Sequence, residues 1–523
     1  MAKRIIGALL LLLVGISAML AVWYVVPKMQ EARQKATSDA GKTKGTMRIA
    51  VDNWIGYFPL RSPLMVSRMR RDGWILVCEE DKADYLTRMK RLKNNQIECA
   101  VATIDSYLLN GASLGFPGII VAVLDESQGG DAIVANRDRV GSLNALRGAT
   151  SLRVAYTPGS PSHHLAKAAA YHFNIPELLP SPGDLRIETK GSEEALTKLL
   201  GGKTDVAILW EPDVTRALAH PGTVKLLGTE DTTRLIVDVL VVNREFSAKN
   251  PAAVQQLLST YFMVLKEYHD NPTLLQKHVS EATGLSPDTV QPMLKGVRWV
   301  NLTENCEKWF GIERPGTYGD EGLIKTIEAT LRILVHAGDF STDPIPGSDP
   351  RRLMYSSYIE DLCIKGLVGF TTPPGVVSPR SQMSSLEARF PPLDPTGWDR
   401  LREVGNLKME TIVFQPGGTE LDLLAKEVID QAVELLKHYP HFRILIKGHT
   451  GTLGDPEENR RLSVERAEAV ARYLQVAYNI DPNRMRTVGL GGDQPLPRRP
   501  EETFRSWQYR LPRVELVLAR EEF

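Results

Sequence analysis

No charge of either sign prevails in this chain of 523 residues, where 63 lysines and arginines stand against 63 aspartates and glutamates. Without a net field nothing steers it toward a polyanion, so no nucleic acid is expected as a partner. Cysteine is scarce as well. Cys78, Cys99, Cys306 and Cys363 show neither CxxC nor Cys/His spacing, which argues against a zinc-type cluster, and their apolar or mixed surroundings predict core thiols. Export would permit disulfides, but the sequence fixes no pairing. A GxSxG elbow and a glycine-rich dinucleotide fingerprint are missing too. The expectation is therefore a non-enzyme with no catalytic residues, cofactor or metal.

One long apolar run is present. Ile5 to Val26 is uncharged, is preceded by Lys3 and Arg4, and ends in Trp23, Tyr24, Val25 and Val26. Its length suffices to cross a bilayer and its closing aromatics suit an interface, whereas a cleaved signal would be shorter and end at a small-x-small site. We expect an uncleaved anchor over residues 1–28, with a cleaved signal or a buried core helix as the alternatives. Lysines and arginines flank both ends, so the positive-inside count does not set the topology. Residues 29–46 are polar and read as a tether.

From Met47 onward, short β-branched runs alternate with helical periodicity, and the alternation occurs twice. Arg48–Val51, Trp74–Cys78, Glu98–Ala102, Gly118–Leu124 and Ala132–Ala135 are predicted strands, with helices over Pro59–Arg70, Ala83–Asn94 and Ile104–Leu109. The second series places strands at Leu152–Tyr156, Leu185–Ile187, Val206–Leu209 and Val224–Leu226, with helices at His164–Tyr171 and Glu193–Leu200. Two α/β lobes with a ligand cleft between them are implied. Four segments then resemble the periplasmic solute-binding proteins of ABC importers, in the nitrate, sulfonate and taurine branch. They are Asn53–Leu60, Gly129–Val134, Gly159–Leu165 and Gly202–Pro212, followed by Asp238–Asn243 as a return crossing and Asn250-Pro251 before a long helix. The resemblance spans about residues 47–340 and implies a type II periplasmic binding protein fold and a small polar solute.

Candidate ligand-binding residues are Trp54, Tyr57, Asp131, Ser160, Ser162, Trp210 and Glu211. Trp54 and Tyr57 follow the first strand and either line a cavity or fill a core. Ser160 and Ser162 begin a helix, where they either face an anion or carboxylate or simply cap. Trp210 can stack on a ligand from a strand end. Glu211 beside an anionic ligand would be costly, so it points to solvent or the solute carries a donor group. His163 and His164 read as helix-start residues and not as metal ligands.

Residues 341–370 read as a helical brace, with a helix over Arg351–Leu367, and 371–407 as a proline-rich spacer. From 408 to 523 the pattern is α+β, β-α-β-α-β plus a closing strand. Strands are expected at Thr411–Phe414, Phe442–Lys447, Arg486–Leu490 and Arg513–Ala519, and helices at Ala425–His438 and Ser463–Tyr478. Phe414, Gly417 and Leu421, then Ile446-Lys447-Gly448-His449-Thr450, Leu462-Ser463, Arg466-Ala467, Gly489, Gly491 and Arg513-Val514-Glu515 resemble the OmpA-like domain that associates with peptidoglycan. That resemblance implies that an Asp after Gly-His-Thr and the helix Arg hold the ammonium and the carboxylate of the diaminopimelate end of the stem peptide. Arg466 matches, whereas Gly451 stands where the Asp belongs and Leu511-Pro512 replaces an Asn-Arg pair. Thr450, Gly451, Asn459, Arg466 and Arg513 are the candidate wall-binding residues. Asp455 is a candidate substitute for the missing acid, and Arg466 is expected to be mostly exposed.

The sequence thus predicts a single-pass protein of the cell inner membrane with periplasmic domains, binding a small polar solute and the peptidoglycan stem peptide. A permease or membrane-complex partner is a further expectation. The alternative is a structural or sensory envelope subunit whose binding-protein fold docks a protein, within a motor-like or transport assembly.

Overall fold

The computed structural model describes residues 43–149, 151–179, 185–312, 319–365, 386, 389–412, 414 and 417–520. The apolar run over 5–26 and most of the proline-rich stretch lie outside them. Among the described residues, no helix is long and apolar enough to cross a membrane.

The first lobe is built from β1 (Gly45–Val51), β2 (Trp74–Glu80), β3 (Cys99–Thr103) and β4 (Gly118–Ser127). Every residue of β3 and β4 is buried, as expected of strands covered on both faces. The chain then crosses to a second lobe of β5 (Asp131–Asn136), β6 (Val154–Tyr156), β7 (Arg186–Glu188), β8 (Val206–Trp210) and β9 (Thr223–Gly228). It returns through β10 (Val237–Asn243) and β11 (Val297–Trp299). The sheets run β11-β4-β10-β3-β1-β2 and β7-β6-β8-β5-β9. Returning β10 lies antiparallel between β3 and β4, so two segments, 128–130 and 229–236, join the lobes. This strand order is what makes the middle region a two-lobed type II binding-protein fold.

Helix α1 (Pro161–Phe173) opens lobe II's main crossover; Ser160 caps it by accepting the His163 amide at 3.1 Å, and Pro161 occupies the first turn. The long helix expected after Asn250-Pro251 is α2 (Pro251–Asp270). α3 (Gly322–His336) packs against α1, and Lys167 of α1 pairs with Asp339 at 2.8 Å.

Two expectations need correction here. The helix expected over 351–367 is a short turn at Pro350–Leu353 followed by α4 (Ser357–Lys365). Cys306 and Cys363, expected as core thiols, form a disulfide that ties α4 to lobe I; Cys78 and Cys99 are free.

The C-terminal sheet contains β12 (Arg402–Asn406), β13 (Arg443–His449), β14 (Met485–Gly489) and β15 (Arg513–Arg520) in the order β12-β15-β13-β14. Its helices are α5 (Leu423–Leu436), α6 (Pro456–Tyr478) and α7 (Phe504–Arg510). The strand expected at 411–414 is replaced by β12, which pairs with β15 as the edge, while Ile412 turns into the core.

One apolar core runs from lobe II into this C-terminal unit, containing Phe173, Leu165 and Ile208 together with Tyr439, Ile444 and Leu516. A Cβ on Gly405 would meet the Phe173 ring at 2.7 Å, so the β12 glycine is what lets α1 approach. Polar bonds seal the seam. The Lys408 amide donates to the His172 carbonyl at 2.6 Å, the Thr233 amide to the His438 carbonyl at 2.9 Å, and Arg520 pairs with Asp231.

Candidate functional site

Two places collect the candidate residues. The first is the lobe crossing. Asp131 begins β5 with its carboxylate accepting from the Ser127 hydroxyl at 2.7 Å and from Ser162 of α1. Thr229, on the other crossing segment, accepts the amides of Gly129 at 2.9 Å and Asp131 at 3.2 Å. Burial raises the Asp131 carboxyl to about 6, although both serine bonds work against that rise.

Beside it, the Trp54 indole donates to Asp125 at 2.9 Å and the Tyr57 hydroxyl donates to Asp238. Burial lifts Asp125 to about 7, against its bonds to Trp54 and Asp238, and burial followed by the Asp125 charge raises Asp238. Asp105, also buried, is lifted to about 7 by burial, against the Thr103 hydroxyl and Lys167. Two of the cations nearby are paired: Arg88 is buried between Asp52 at 3.1 Å and Asp81, and Lys167 holds Asp339.

Tyr57 is a core residue, whereas Trp54 is half-buried and lies over Gly130, where a Cβ would come within 2.4 Å of its ring. Ser160 is the α1 cap and Ser162 faces Asp131. Trp210 sits opposite Asp131 in the β5–β8 ladder. Glu211 accepts from the Thr215 amide at 3.1 Å and hydroxyl at 2.8 Å, so its carboxylate caps the following helix, and burial raises it. The structure thus brings Trp54, Tyr57, Asp131 and Ser162 to the crossing and gives Ser160 and Glu211 capping bonds. The sequence reading missed Asp125 and Asp238, which sit inside apolar strand runs. His163 and His164 are buried with no hydrogen-bond partner for their ring nitrogens among the described residues, and burial lowers both to about 3. A cavity of about 1080 Å³ lies elsewhere on lobe I, between α2 and the segment leading into α4.

The second place is the end of β13. Gly448 lets β13 touch α6, since a Cβ there would meet the Ser463 carbonyl at 2.0 Å. The Thr450 amide donates to Gly491 at 2.8 Å, and the Asn459 side chain donates to the Leu453 carbonyl at 2.8 Å. Arg513 is paired with Glu515 at 2.6 Å, and Glu515, which burial alone would raise, is brought to about 2 by His449 and Arg513. Asp455 is the N-cap of α6, accepting from Glu457 at 3.0 Å and Glu458 at 2.9 Å. Arg466 departs from its expected exposure. It is 4% exposed, donates to the Gly418 carbonyl at 3.1 Å and lies 4.8 Å from the Phe414 ring centre. Burial lowers its pKa.

Gly451 has no Arg466 atom within 4 Å of the position its Cβ would take; the Gln508 side-chain oxygen is there at 2.9 Å. Gln508 belongs to α7, which the sequence reading did not contain. Thr503 caps this helix by accepting the Ser506 amide at 3.1 Å, a local signal that was available.

Residues 413–506 match the OmpA family, so the chain carries an OmpA domain behind its two-lobed region. Over 92 residues, 17% of this chain, it is 35% identical to outer membrane protein Omp38 of Acinetobacter baumannii, spanning 26% of that protein. It is 33% identical over 87 residues, 17% of this chain, to the peptidoglycan-associated lipoprotein of Rhizobium meliloti and spans 49% of it. The chain thus covers between a quarter and a half of the length of these relatives. Among solved structures, it resembles the periplasmic aliphatic sulphonate binding protein SsuA from Escherichia coli at 14% identity and a TM-score of 0.46, over 60% of this chain and 92% of that one.

Proposed function

We propose that this is a non-enzymatic envelope protein that binds a small polar solute between its lobes and associates with peptidoglycan through its OmpA domain. The reading includes an inner-membrane anchor at Ile5 to Val26 and a periplasmic location for everything after it. The observation that carries the solute part is the charge balance at the crossing. Asp105, Asp125, Asp131 and Asp238 are buried there while Arg88 and Lys167 are already paired. Such a site repels a sulfonate and favours a solute that brings hydrogen-bond donors or positive charge, because each buried carboxylate gains from a donor and loses from a second anion.

Calorimetry of the full chain against amines, amino acids and sulfonates tests this. Binding of an amine or amino acid is the expected result. Sulfonate binding without amine binding refutes the solute class. The protein-docking alternative draws support from Trp54, which lies across the crossing over Gly130. Binding of none of these compounds favours it.

The wall part is tested by sedimentation with purified sacculi. The full chain should sediment, and Arg466→Lys, which keeps charge but loses the planar fork, should sediment less. A full chain that stays in solution refutes wall association.

A further inference from the structure

Where the resemblance implies an acid after Gly448-His449-Thr450, this chain has Gly451, and an amide from another part of the chain lies over it. Gly451 offers no side chain at the loop after β13. Directly over it stands Gln508 of α7, whose Oε1 accepts the Thr452 amide at 3.1 Å while its Nε2 donates to the Thr452 hydroxyl at 2.6 Å. An amide carries two lone pairs and two N–H groups, so after these bonds one acceptor site and one N–H remain on Gln508. The acids of the surrounding loops are engaged. Asp455 caps α6, Asp493 pairs with Arg460 at 2.6 Å, and Glu515 pairs with Arg513. The group that stands over Gly451 is therefore the neutral amide of Gln508 and not one of these carboxylates.

We infer that Gln508 sets the ligand preference of this domain, selecting a stem-peptide end whose side-chain amine is acylated, as in a cross-link, over one with a free ammonium. The inference rests on the wall-binding reading above. An acylated amine presents an N–H and a carbonyl, and the two remaining sites on Gln508 complement that pair. A free ammonium would meet a neutral group and lose the charge-assisted bond that a carboxylate provides. That bond is about 1.4 kcal/mol stronger than its neutral counterpart, or roughly tenfold in affinity.

The test uses the full chain and two synthetic tripeptides that end in a diamino acid, one with the side-chain amine free and the other with it N-acetylated. Titration calorimetry should show the acetylated peptide binding more tightly than the free one, and equal binding overturns the inference. Gln508→Glu should reverse the order by roughly tenfold. Gly451→Asp is a second route to the same charge. The backbone at Gly451 has no positive φ, and the new Cβ would meet the Gln508 side-chain oxygen at 2.9 Å, the end of a flexible side chain that can shift off Thr452, so the variant can fold and should also favour the free amine. A wild-type preference for the free amine, or unchanged preference in both variants, overturns the inference while leaving wall binding intact. Binding of neither peptide while the full chain still sediments with sacculi overturns the stem-peptide preference alone. Loss of sedimentation overturns the wall reading as well.

Discussion

Acidification should loosen the seam between lobe II and the OmpA domain. His172 is 1% exposed, its Nδ1 lies 2.8 Å from the Tyr439 hydroxyl, and its ring stacks on His438 with centres 5.2 Å apart. The charged groups that face it are His164, His438, Arg332 and Lys408, all cationic or able to become so, and burial followed by these neighbours holds its pKa well below the ordinary value. His164 is lowered to about 3 by burial, then by Lys167 and His438. The sign follows from proton binding. A histidine whose folded pKa is depressed binds more protons once undocked, so stability is lost as pH falls below about 6.5 and continues to fall until the folded value is reached, about 3 for His164. Between pH 7 and pH 5 the loss is about 2 kcal/mol per histidine that becomes exposed, set by the undocked value. For His164 and His172 together it is on the order of 4 kcal/mol. The raised carboxyls Asp105 and Asp125 act oppositely. Their contribution is complete below about 3.8 and is lost as pH rises through about 7, so global unfolding midpoints mix two opposed effects. Hydrogen exchange separates them. The amides of Lys408 and Thr233 cross the seam, and their protection, corrected for intrinsic rate, should fall by roughly two to three orders of magnitude from pH 7 to pH 5. His172→Leu should remove about half of that fall on a logarithmic scale. Unchanged protection at both amides would refute the reasoning.

Arg88→Met should destabilise the protein by about 3 to 5 kcal/mol in chemical denaturation, since it leaves buried Asp52 and half-buried Asp81 without their cation. Cys306→Ala, which opens a link between residues 57 apart, should cost at most about 4 kcal/mol by the loop-closure relation, and reduction of the wild type should match it. Ser162→Ala removes a bond to the ionised form of Asp131, so the carboxyl should titrate above its present value of about 6, as followed by carboxyl NMR. Arg466→Ala should lower stability as well as wall sedimentation, because this arginine is buried against Phe414; a variant as stable as wild type would place Arg466 in solvent.

The lobes were legible because their central strands carry long apolar runs. β4 and β10 bury every residue, and such runs show in the sequence as directly as in the sheet. Contacts between distant residues were not legible. Arg402-Glu403-Val404-Gly405-Asn406 carries no strand pattern and becomes β12 only because β15 offers an edge. Thr411-Ile412 looks more like a strand but spends its apolar side chain on the core. Arg466 has an exposed-looking helix register, and its burial depends on Phe414 and Gly418, some fifty residues earlier. Asp125 and Asp238 were hidden for the converse reason: each sits in a hydrophobic run, where local pattern assigns packing and only the juxtaposition of β4 and β10 exposes the shared acid chemistry.

The continuous core from α1 to β15 has a mechanical consequence. Strand β1 belongs to lobe I, so whatever holds residues before Gly45 holds that lobe, while the OmpA domain is fused by packing to lobe II. A pull between the two ends of the protein is then borne in part at the interlobe joint, through Gly129, Thr229 and the Ser127–Asp131 bond. On the proposed reading, a solute held between the lobes would stiffen that joint, and its occupancy would set how firmly one end of the molecule transmits force to the other.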